Sequence, residues 1–135
     1  MSPPERTHRE RLVEVGADLI QRKGYHGVGL AEILAESGAP RGSLYHYFPG
    51  GKEDLAVEAI GFAAANVART LASVMQGART PATALHKIAD HFADALVASR
   101  FEKGCPVATI TLELAGENPR IQKACALAYA GWQNG

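Results

Sequence analysis

At 135 residues, with 47% hydrophobic and 21% charged side chains, the chain has the make-up of one globular domain, or a small module joined to part of another. Its 14 Lys and Arg balance 14 Asp and Glu, which excludes a whole-molecule basic surface, so any nucleic-acid role must rest on local placement. Cys105 and Cys125 lie too far apart for a CxxC pair, and MSPPERTHRE holds no apolar signal core, so a reduced, cytoplasmic, non-membrane protein is expected.

Helical signals run along the whole chain. Leu12, Val15, Gly16, Leu19 and Ile20 recur at the spacing of one buried stripe and predict a helix from about Glu5 to Lys23, closed by Gly24. A short helix over Leu30–Ser37 closes on Gly38, and a shorter one over Arg41–Tyr47 ends before Pro49. From Lys52 a long helix extends to about Gln76, with Leu55, Ala59, Phe62 and Asn66 on one side and Ile60, Val67, Leu71 and Val74 on another. Leu85, Ile88, Ala89, Phe92 and Leu96 outline a fifth helix from about Pro81, and Val107, Ile110, Thr111 and Leu114 a sixth. A seventh follows GENP and runs to about Trp132. The fold class expected is all-α, with a boundary at residues 51 and 52: three short helices over 5–51, then a longer-helix bundle over 52–135.

The second and third helices are joined by Gly38-Ala39-Pro40, a glycine turn of helix-turn-helix length. In that motif the amino-terminal residues of the second helix meet base edges in the major groove. Here they are Arg41, Gly42, Ser43 and His46, flanked by Tyr45 and Tyr47. An arginine can grip guanine with two bonds, and a glycine lets the backbone approach the groove floor. Serine and tyrosine hydroxyls, and Lys52 at the start of the fourth helix, suit phosphates. Leu44 and Phe48, four apart, are expected to turn inward.

KGYHGVGLAEILAESGAPRGSLYHYFPGGKEDL, with Arg11-Leu12 before it, resembles the amino-terminal domain of the TetR family of transcriptional regulators over about Glu5 to Gly61. FPGGKE and GCPVATITLE are similar to its LmrA-type branch. The resemblance implies a homodimer that binds palindromic operator DNA, acts as a repressor, and is released by a small hydrophobic effector. It places Arg41, Gly42, Tyr45, His46 and Tyr47 at operator-contacting positions and Lys52 at a phosphate. Phe62, Phe92, Leu96, Leu114 and Trp132 are the candidate effector-lining residues. Two departures stand out: Gly29 replaces the usual Ser or Thr cap of the second helix, and Val28 replaces a common polar residue. The family also carries further carboxy-terminal helices that build the dimer, so the chain reads as shortened.

Other chemistries fit less well. GGKED fails the phosphate-loop pattern twice, since His46 stands at the first glycine and Glu53 follows the lysine. Glu53 and Asp54 suit the positive end of a helix. His86 and Asp90 share a face but lack a third ligand, because His91 turns away. Cys105 precedes Pro106 at an expected helix start, where a thiolate is favoured. With no nucleophile–base set and no cofactor motif, neither an enzyme nor a metal or cofactor site is expected. The competing reading is a helical interaction module that never touches DNA: up to Leu55 there are seven basic and eight acidic residues.

Overall fold

A computed structural model describes residues 6–114 and 116–134. Among them are seven helices and no strand: α1 (His8–Lys23), α2 (Leu30–Ser37), α3 (Arg41–Tyr47), α4 (Lys52–Met75), α5 (Pro81–Ala98), α6 (Pro106–Leu114) and α7 (Pro119–Gln133). The all-α expectation holds. The expected first-helix start at Glu5 lies outside the described residues; α1 begins at His8, behind a capping box. The Thr7 hydroxyl accepts the Glu10 N–H while the Glu10 carboxylate accepts the Thr7 N–H.

The buried arc of α1 is Leu12, Val13, Gly16, Leu19 and Ile20, so Val13 takes the place expected for Val15. The arc centres on Gly16, where α1 comes so close to α4 that a Cβ would lie 3.3 Å from Leu55. Val13 falls inside that arc and Val15 just beyond it.

Two cores result. Leu12, Val13, Leu19, Val28, Ile33, Ala39, Leu44, Phe48 and Leu55 form the first, closing α1–α3 on the first turn of α4. Ile20, Ala56, Ile60, Val107, Ile110, Leu114, Ile121, Cys125 and Ala128 form the second, between α1, α4, α6 and α7. Each fully buried Leu, Ile, Val or Phe contributes about 1.5–3 kcal/mol of transfer free energy. By length and composition α4 could cross a membrane, but Leu55, Ala56, Ala59, Ile60 and Ala63 are buried within the protein. α5 packs against α4 without burying any residue; Leu85 and Phe92 are exposed, and Ile88 and Leu96 half-buried.

Polar contacts at two places tie the later helices to the first core. Asp18 accepts from Lys103 and from Arg22 Nε, while Arg22 Nη1 reaches Glu102 at 2.6 Å. At the start of α4, Arg120 Nη1 donates to Glu53 Oε1 at 3.1 Å and to Asp54 Oδ1 at 2.7 Å. Partial burial pushes the Asp18 carboxyl up, but hydrogen bonds and charge from Lys103 and Arg22 outweigh it and hold the group below its ordinary value. Hydrogen bonds from Arg120 and the Gly50 N–H lower Asp54. Folded values below unfolded ones mean that this stability is complete above the ordinary carboxylate value of 3.8 and is lost as pH falls through the folded values. The urea midpoint is therefore expected to hold steady down to about pH 5 and to fall below about pH 4, less steeply in Arg120→Ala. Identical acid limbs for the variant and wild type would show that the Asp54 pair contributes nothing.

Candidate nucleic-acid interface

The turn before α3 is built by small residues. Gly38 closes α2 in the left-handed region at φ 69°, which a side chain would resist. The buried Ser37 hydroxyl donates to the Leu34 carbonyl and accepts the Ala39 N–H, both at 3.2 Å. Ala39 then sinks into the core, and Pro40 sets the extended backbone from which α3 starts. Sequence reasoning found the glycine but missed Ser37, whose role lies in a local side-chain bond with no periodic signal.

On α3 the inward and outward sets separate cleanly. Leu44 is fully buried and Phe48 is 2% exposed. Arg41, Gly42, Tyr45, His46 and Tyr47 face outward, with Tyr45 46% and Tyr47 39% exposed, and Ser43 is half-buried. The His46 and Tyr47 rings meet edge-on at 4.9 Å between centroids, which limits how either can turn. No Cβ contact crowds Gly42, so its backbone is open to close approach. α3 therefore presents a guanidinium, an imidazole and two phenols on one outer surface, anchored by two apolar residues beneath.

Lys52 is placed differently from the others. Its ammonium lies 4.2 Å from the centroid of the Tyr25 ring, in a half-buried position beside the start of α4. Burial pushes that ammonium below the ordinary lysine value, against the field of Glu113. At the amino end of α2, Gly29 is extended and supplies no side-chain cap, leaving the first N–H groups without a hydroxyl partner.

A concavity of about 1040 Å³ opens between α1, α4, α5 and the segment leading into α6. Phe62, Phe92, Leu96 and Trp132 all line it, whereas Leu114 lies 4% exposed in the second core. Trp132 is fixed by its indole N–H, which donates to the Ala64 carbonyl at 3.0 Å. Arg69, His91, Lys103 and Cys105 also reach this cleft and were not among the expected lining residues. Only the fold brings the 103–105 segment against α1, where Lys103 pairs with Asp18 and the Gly104 carbonyl accepts from Gln21, so helical spacing could not reveal Lys103 and Cys105. Cys105 stands just before α6, where the sequence placed it, and it is exposed. Among the described residues no three His, Cys, Asp or Glu side chains gather to hold a metal ion.

Two family models match the chain. Residues 12–59 match that of bacterial regulatory proteins of the tetR family, and residues 81–135 that of the LmrA/YxaF-like transcriptional regulator C-terminal domain. The HTH-type transcriptional regulator LmrA of Bacillus subtilis is 34% identical over 124 residues, covering 92% of this chain and 66% of the relative. YxaF of the same organism, an HTH-type transcriptional regulator, is 34% identical over 125 residues, covering 93% and 65%. The chain thus spans just under two thirds of the length of these relatives. Among solved structures, a TetR regulatory protein from Rhodobacter sphaeroides superposes with a TM-score of 0.85 at 26% identity, covering 94% of this chain and 67% of that one.

Proposed function

The chain belongs to the TetR family of transcriptional regulators, in its LmrA/YxaF-like branch, and on that footing we propose that it binds palindromic operator DNA as a homodimer. The observation that carries this reading is the outer surface of α3, where Arg41, Tyr45, His46 and Tyr47 stand exposed above a buried Leu44 and Phe48. Residues 5–51 serve as the reading head and 52–135 as the regulatory part. Arg41 and His46 meet base edges, Gly42 admits the backbone to the groove, and Ser43, Tyr45, Tyr47 and Lys52 hold the sugar-phosphate chain. Each half of the palindrome takes one α3, because a symmetric operator mirrors a symmetric dimer.

Repression follows sterically, since a bound dimer blocks transcription. A small hydrophobic effector entering the cleft beside Phe62, Phe92, Leu96 and Trp132 shifts α4, which both cores share. That shift changes the separation of the two heads and releases DNA. The protein acts in the cytoplasm and catalyses nothing.

The near-neutral head favours a competing reading, a helical interaction module, and salt separates the two. A head whose cations neutralise phosphates loses duplex affinity as salt rises from about 50 to 200 mM, with a slope of about −0.9 for each phosphate neutralised. An interaction module binds no duplex at either. Lys52→Ala is expected to weaken selected and random duplexes equally and to reduce the salt slope by about two, one for each protomer. Fluorescence anisotropy measures both; a slope equal to that of wild type would remove Lys52 from the phosphate contacts.

A further inference from the structure

One carboxylate from the later helices grips the backbone of the head itself. Glu113, on α6, accepts the Tyr25 N–H at Oε2 and the His26 N–H at Oε1, both at 2.7 Å. These amides lie in the connection between α1 and α2, beyond the reach of either helix's own hydrogen bonds. The connection is shaped around the carboxylate. Gly24 sits at φ 77° and ψ 170°, a region essentially reserved for glycine, and a Cβ there would lie 2.7 Å from Glu113 Oε2. The Tyr25 ring, held by its own amide, is the surface on which the Lys52 ammonium rests. Bonds of this kind, from neutral amides to an ionised acceptor, are about twice as strong as those between neutral groups.

We infer that Glu113 is a positioning residue of the reading head: by holding the Tyr25 and His26 amides it sets the direction in which α2 and α3 leave α1. It acts through the turn and touches neither base nor phosphate. α2 starts at Leu30, five residues after Tyr25, so a small rotation at the turn moves the whole α2–α3 unit. Glu113 thereby joins α6 to the head directly through the α1–α2 connection. The inference rests on the duplex-reading proposal above.

The test compares wild type, Glu113→Gln and Glu113→Ala in amide hydrogen exchange and in binding to the palindrome that wild type selects from a random duplex pool. Losing two charge-assisted bonds is expected to speed exchange at Tyr25 and His26 by about tenfold or more in Glu113→Ala. Glu113→Gln keeps one acceptor oxygen and should fall between. Affinity for the selected duplex is expected to drop about tenfold in Glu113→Ala, with the salt slope unchanged because no phosphate contact is lost. Removing a negative charge would by itself strengthen every duplex, which is the opposite sign. If the alanine variant does not fold, a loss of about threefold in Glu113→Gln carries the same meaning. Affinity equal to or above that of wild type in the folded variants overturns this role alone. A wild-type protein that binds no duplex overturns the regulator reading and this role together.

Discussion

Phe48→Ala is expected to cost about 3–5 kcal/mol, the range for removing a buried phenylalanine. Phe48 closes the first core with Leu12, Ile33, Leu44 and Leu55, and it is 2% exposed. Small domains have only about 5–15 kcal/mol in total, so this single change removes a large share. Its backbone is committed too: the Phe48 N–H bonds to the Leu44 carbonyl and its own carbonyl accepts from Gly51, both at 2.8 Å. Tyr45→Ala, three positions earlier, should move stability by no more than about 0.5 kcal/mol, because a surface side chain leaves no cavity. Urea denaturation of the two variants measures the contrast. Equal losses would mean that Tyr45 is a packing residue, and the outer surface of α3 would no longer be available for DNA.

Arg41→Ala is expected to cost about 1–3 kcal/mol in discrimination at one base pair of each half-site, the worth of a bidentate arginine–guanine contact. In a homodimer both half-sites lose it, so the operator as a whole loses preference twice over. Stability should stay unchanged, since Arg41 is exposed at the first position of α3. Other basic residues are engaged elsewhere: Arg22 with Asp18 and Glu102, Lys23 with Glu32, and Arg120 with Glu53 and Asp54. Binding to a library with one half-site position randomised reads the change. A variant that keeps the wild-type preference at every position removes Arg41 from base reading and leaves His46 as the remaining candidate.

The helices were legible because punctuation marks their ends. α2 and α3 span the expected residues, bounded by Gly29, Gly38, Pro40 and Pro49, each of which restricts or frees the backbone in a way that a helix interior does not tolerate. The inward turn of Leu44 and Phe48 followed from their spacing alone. The joint between the two cores was not legible. Glu113 meets the Tyr25 N–H across 88 positions and Arg120 meets Asp54 across 66, and polar contacts so distant leave no periodic trace. Glu53 and Asp54 read as helix-end charges, whereas the structure adds Arg120 and Asn118 as partners. Lys52 read as a free phosphate ligand, and only the fold brings Tyr25 beneath it. Val13 displaced Val15 from the buried arc because Gly16 draws α1 onto α4.

The most direct test of the DNA-reading surface is the solution mass of the full chain, by light scattering at low salt, with a palindromic duplex selected by the protein. The expected species contains two copies of the 14.3 kDa chain on each duplex. Chain and duplex scattering as separate particles, each at its own mass, would contradict the account.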